Sequence, residues 1–122
     1  MTQDQAIIAI TATIIVLDII TGILKAYITG TLSSKKMREG LIHKSTYAVI
    51  MTMGKLLEYG ETQIDLGYNA PLFGPICAYI IITEITSILE NITEINPELK
   101  NSKIIQLIYR EPDHEKKEKE TE

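Results

Sequence analysis

Two long stretches of this chain, residues 5–17 and 66–83, carry no charge, and each runs into a carboxylate, Asp18 and Glu84. A soluble surface helix turns a polar face outward every turn or so. Runs of this kind must therefore be buried in a large core or given to lipid. At 122 residues, the chain is one domain at most and builds only a modest soluble core. Lipid is the better home. The mean hydropathy of +0.09 hides this, because it averages the apolar runs with the polar ending DHEKKEKETE. The net charge of −4 comes from mixed acidic and basic residues rather than a basic stripe, so nucleic acid is not an expected partner. Cys77 is the one cysteine, which excludes an intrachain disulfide and reads as a buried structural thiol.

A helix needs about 20 residues to cross a hydrocarbon core of roughly 30 Å. Three segments are candidates. The first, residues 5–27, reaches that length only with Asp18 inside it. No Lys or Arg precedes it and no small-residue cleavage pattern follows, so it reads as a retained helix. The third, residues 71–91, has Pro71 or Pro75 suited to a first helical turn and takes Glu84 into its lower half. The second, residues 44–60, is thinner: its uncharged stretch STYAVIMTMG would span only about 15 Å, and Lys55 and Glu58 lie in it. An interfacial or buried soluble helix is the alternative there.

Loop charges orient these segments. Lys25, Lys35, Lys36, Arg38 and Lys44 cluster between the first and second against Glu39 alone, whereas Glu58, Glu61 and Asp65 lie between the second and third. The positive-inside rule places the basic cluster in the cytoplasm, with the N-terminus outside and the C-terminus inside. Tyr27 and Tyr47 would flank the inner interface, and Tyr59 and Tyr68 the outer one. The expected fold is thus an all-α membrane protein: a membrane domain over residues 1–93 with about three transmembrane helices, then a cytoplasmic amphipathic helix over 94–110. In that helix Leu99, Ile104, Ile105, Leu107 and Ile108 form the apolar side. Residues 111–122 are expected to be a disordered charged tail.

A carboxylate at membrane depth costs about 2.5–3.5 kcal/mol on insertion scales, so it should face protein, water or a partner charge. On a helix Asp18, Gly22, Lys25 and Ala26 share a face, and Gly22 with Ala26 forms a small-xxx-small pair that admits a second backbone. Glu84, Ser87 and Asn91 form another polar stripe, with Glu90 beside it. These eight residues are the candidate pore-lining or packing positions. Two such stripes are hard to satisfy within one three-helix unit, which points to a homo-oligomer around water. The structural alternatives are an Asp18 pair with Lys55 or Lys25, a Glu84 hydrogen bond within the protomer or a protonated carboxyl, and Lys25 snorkelling to the interface. His43 has no second ligand nearby, so no metal is expected. There is no nucleophile elbow, phosphate-cradling loop or histidine pair, so neither an enzyme nor a cofactor is expected.

The residues Asp18-Ile-Ile-Thr21-Gly22-Ile-Leu-Lys25-Ala26, followed by Gly30, Ser33-Ser34-Lys35-Lys36, Glu39-Gly40 and Lys44, resemble the opening signature of the phage lysis and toxin-secretion holin family. Glu84-Ile-Thr-Ser87-Ile88-Leu89-Glu90-Asn91, with Pro97 and Leu99 after it, resembles that family's second signature. The resemblance covers roughly residues 10–110. It implies a small protein of the bacterial (host) cytoplasmic membrane that oligomerises into pore-forming lesions. These pass an endolysin, leading to host cell lysis, or a toxin. The competing readings are an antiholin-like regulator or scaffold that recruits a cytoplasmic partner, and a soluble helical bundle.

Overall fold

The computed structural model describes residues 1–108, and all regular structure among them is helical. The tail expected over 111–122 lies outside the described residues. Helix α1 (Gln3–Thr29) opens on a capping box, in which Thr2 and Gln5 exchange side-chain-to-backbone hydrogen bonds. It closes at Gly30, whose φ of 71° is left-handed; there the Thr31 N–H reaches Ala26 O at 2.9 Å and the Gly30 N–H reaches Tyr27 O at 3.3 Å. Helix α2 (Ser34–Gln63) starts on Ser33, whose hydroxyl accepts from the Lys36 N–H. Helix α3 (Phe73–Ile95) follows, with Pro75 in its first turn, where a missing N–H leaves no bond unmade.

α2 begins ten residues before the segment expected to lie in lipid. The basic stretch read as a loop is its first three turns. Helix and span need not coincide: at 30 residues α2 is about 45 Å long, well beyond a hydrocarbon core. Two helices, α1 and α3, are long and apolar enough to cross a membrane by length and composition. The segment 94–108 is divided. α3 runs on to Ile95, a 3-10 turn covers Pro97–Asn101, and a short α4 covers Lys103–Ile108. Pro97 explains the break, because it forces Asn96 out of helical geometry, to φ −132° and ψ 90°.

Side-chain pairs along the helices fix their directions. Lys55 of α2 bonds Asp4 near the start of α1 and lies over the ring of Phe73 at the start of α3. Near the opposite ends, Lys25 of α1 meets Glu94 of α3 at 3.8 Å. α1 and α3 therefore run parallel, with α2 antiparallel to both. The main packing joins α1 to α3, and α2 rests on α3 while barely touching α1.

The inner face of α3 is a heptad ladder: Phe73, Cys77, Ile80, Glu84, Ser87 and Asn91 follow at steps of four, three, four, three and four. All but the half-buried Ser87 are buried. This spacing keeps one seam toward a parallel partner. α1 answers with Thr11 and Asp18, seven residues apart and both buried. Elsewhere the helices show large apolar side chains outward, including Ile20, Leu24, Val49, Met53 and Ile82, as a lipid-facing surface would.

Candidate functional site

The ladder of α3 changes character partway along. Its first half is Phe73, Cys77 and Ile80; its second half is Glu84, Ser87 and Asn91. The buried carboxylates of Asp18 and Glu84 come together there around a cation from α2. Lys44 Nζ donates to Asp18 Oδ2 at 2.5 Å and also to Glu84 Oε2. Asn91 Nδ2 donates to Asp18 Oδ1 and to Thr21 Oγ1, both at 3.1 Å, and the Thr21 hydroxyl donates to the Asp18 carbonyl. Gly22 lies against this group: a Cβ there would stand 3.6 Å from Asn91 Nδ2, an ordinary van der Waals contact. The Lys44 side chain is 16% exposed, that of Asp18 7% and that of Glu84 3%. Among the described residues no buried side-chain polar atom lacks a hydrogen-bond partner.

Two carboxylates share one ammonium, so the cluster is one negative charge in excess when all three groups are ionised. The Asn91 amide offsets part of this by donating to Asp18. Such an arrangement holds only while every member is present, because removing one leaves a buried charge exposed to a low dielectric.

Two further charge groups bracket this one. At one end Lys55 bonds Asp4 and sits 3.3 Å from Glu58, and Glu58 Oε1 accepts the Phe73 N–H at 3.0 Å. Glu58 thereby caps α3, for which Leu72 supplies no side-chain bond. At the other end stands the Lys25–Glu94 pair. Asp4 and Lys25 are 21 residues apart on α1, about 32 Å at helical rise and close to the roughly 30 Å hydrocarbon thickness. Asp18 lies about 10 Å inside the Lys25 end.

Of the expected positions, the structure brings Asp18, Gly22, Glu84 and Asn91 into one cluster. Ser87 is half-buried beside it, Ala26 is half-buried a turn further on, Lys25 pairs with Glu94, and Glu90 is exposed. Two expectations are corrected. Asp18 pairs with Lys44, not with Lys55 or Lys25, because antiparallel α2 carries Lys55 to the far end of α1. The two polar stripes are satisfied within one three-helix unit, because α1 and α3 are parallel and place Asp18 beside both Glu84 and Asn91. Lys44 and Thr21 were not among the expected site positions, although both stand in the opening signature; Lys44's place at the edge of an uncharged run was a second signal.

No curated protein and no solved structure matches the chain. A family model, described as the Bacteriophage holin family, matches residues 1–108. That match spans every described helix and both polar stripes, and the chain belongs to the bacteriophage holin family, as a holin-like membrane protein.

Proposed function

We propose that this chain is a three-span holin that accumulates in the bacterial cytoplasmic membrane and oligomerises into lesions passing an endolysin or a toxin. Its N-terminus lies outside and its C-terminus in the cytoplasm. The observation that carries this reading is the Asp18–Lys44–Glu84–Asn91 network. In a family of membrane proteins, it collects ionisable groups from all three helices at a depth where water is excluded. Within one protomer the network is closed, so a newly made chain inserts without an exposed charge. In an assembly, Asp18, Glu84, Ser87 and Asn91 turn to a shared lumen where water solvates them, and a wetted assembly gains over a dry one.

The test is induced expression of this chain alone in a bacterium, following release of a large cytoplasmic reporter enzyme. Abrupt release after a lag is expected. A membrane-embedded chain whose host keeps growing with the reporter retained would overturn the lesion reading and favour an antiholin-like regulator. Asp18→Leu and Glu84→Leu should still insert, yet delay or abolish release; normal timing in both would remove the network from the mechanism.

A further inference from the structure

We propose that the cleft between α1 and α2, at the basic end of the molecule, is a binding site for one anionic phospholipid. The cleft has a volume of about 420 Å³ and lies between the second half of α1, the link at residues 30–33 and the first turns of α2. It exists because α1 and α2 each pack on α3 and meet one another mainly through long side chains such as Lys44. The Lys44 side chain, reaching to Asp18, is part of its floor.

Its floor is polar, with Asp18, Ser87 and Asn91 beside Lys44, and its side walls are apolar. Ile23 of α1 lines it together with Leu32, Met37 and Leu41, and the last three are 40–52% exposed. Its rim is cationic, with Lys25 on one side and Lys36 on the other. Among the described residues Lys36 has no acidic partner within 4 Å, and Lys25 has only Glu94 at 3.8 Å. Lys35 and Arg38 are exposed in the same turn of α2.

Apolar walls beneath a ring of ammonium groups match an acyl chain beneath a phosphate. Basic pockets between membrane helices on the cytoplasmic side recognise anionic headgroups in this way. A second copy of the chain would bring its own Lys35, Lys36 and Arg38 to a rim already positive, so charge selects lipid over self. This inference rests on the membrane reading and not on lesion formation.

The full-length chain is reconstituted in phosphatidylcholine nanodiscs with a minority of phosphatidylglycerol. Photo-crosslinkable probes of each lipid, reactive in the acyl chain, are then compared by mapping the adducts. Phosphatidylglycerol adducts are expected on Met37 and Leu41, in excess over the phosphatidylcholine probe. Lys36→Gln should lower them about fivefold, the weight of one cation beside an anionic lipid. Gly40→Leu keeps every cation and has room for its side chain, since a Cβ there meets nothing within 4 Å. It fills the cleft and should abolish those adducts while labelling of the outer helix faces persists.

Equal labelling by both probes, labelling unchanged in Gly40→Leu, or crosslinks from the cleft to a second copy would each overturn the site. Release of the chain from membranes at alkaline pH would overturn the membrane reading and this inference together. Reporter release by a chain with no cleft adducts would overturn the lipid site alone.

Discussion

The α1–α3 pair and helix α2 are held by different forces. α1 and α3 meet along a continuous buried seam in which Thr11, Cys77 and Ile80 are almost wholly enclosed. α2 has a single buried residue, Gly54, and reaches its neighbours mainly through charged side chains: Lys44 to Asp18 and Glu84, Lys55 to Asp4, and Glu58 to the Phe73 N–H. One interface is a continuous packed seam, apolar over its first half, and charge bridges the other. In lipid the contrast sharpens, because hydrocarbon is as apolar as leucine and gives no hydrophobic drive to bring α2 in. α2 is the helix most readily displaced, and Lys44 is the more buried of the two lysines that tie it to α1.

The sharpest way to break this contrast is Lys44→Met. It leaves two buried carboxylates without their shared cation, and breaking such a buried pair costs about 3–5 kcal/mol. Thermal unfolding in detergent should show the loss, and Lys44→Met with Glu84→Gln should recover part of it by removing one stranded charge. An unchanged melting temperature in the single variant would mean that α2 is held by something else.

Next in size is Gly54→Leu, aimed at the one place where α2 packs closely. A Cβ at Gly54 would stand 2.8 Å from Ile76 Cδ1 and 3.5 Å from the Phe73 Cα. The Ile76 tip can yield but the backbone cannot, so overpacking of about 1–3 kcal/mol is expected. Crosslinking between cysteines placed on α2 and α3 should weaken; if it does not, α2 rests on α3 less closely than this geometry states.

Asn91→Ala should act more gently, since polar contacts inside membranes average about 0.6 kcal/mol with a maximum near 1.7. It tests the α1–α3 seam, because Asn91 joins those two helices and leaves Lys44 in place. A loss as large as that of Lys44→Met would show that the network cannot be divided between the two interfaces. Smallest of all should be Lys55→Gln, whose side chain is 40% exposed and opposite a half-exposed Asp4. Its effect should fall further as salt is raised, which the Lys44 variant should not show.

Much of this arrangement was legible in the residues. Uncharged runs ending at Asp18 and Glu84 locate α1 and α3, and helical spacing puts Glu84, Ser87 and Asn91 on one face. α2 was harder, because Lys35, Lys36 and Arg38 are equally at home in a loop and in a helix extending past an interface. Only the Ser33 cap marks the start. The Lys44 contacts span 26 and 40 residues of sequence, and no periodicity within one helix reports them. Which lysine meets Asp18 depends on α2 running antiparallel, a property of the assembled bundle.

The change of character along α3 sets where the bundle can part. Phe73, Cys77 and Ile80 form its dry half at the end away from the basic cluster, while at the basic end Asn91 bonds α1 directly and Glu84 bonds Lys44, groups that water can satisfy equally well. The protomer is built like a clothes peg, sprung at its dry end and with jaws that loosen when wetted. Water entering between the helices would therefore part them first at the end carrying Lys35, Lys36 and Arg38, and last at the dry end around Phe73.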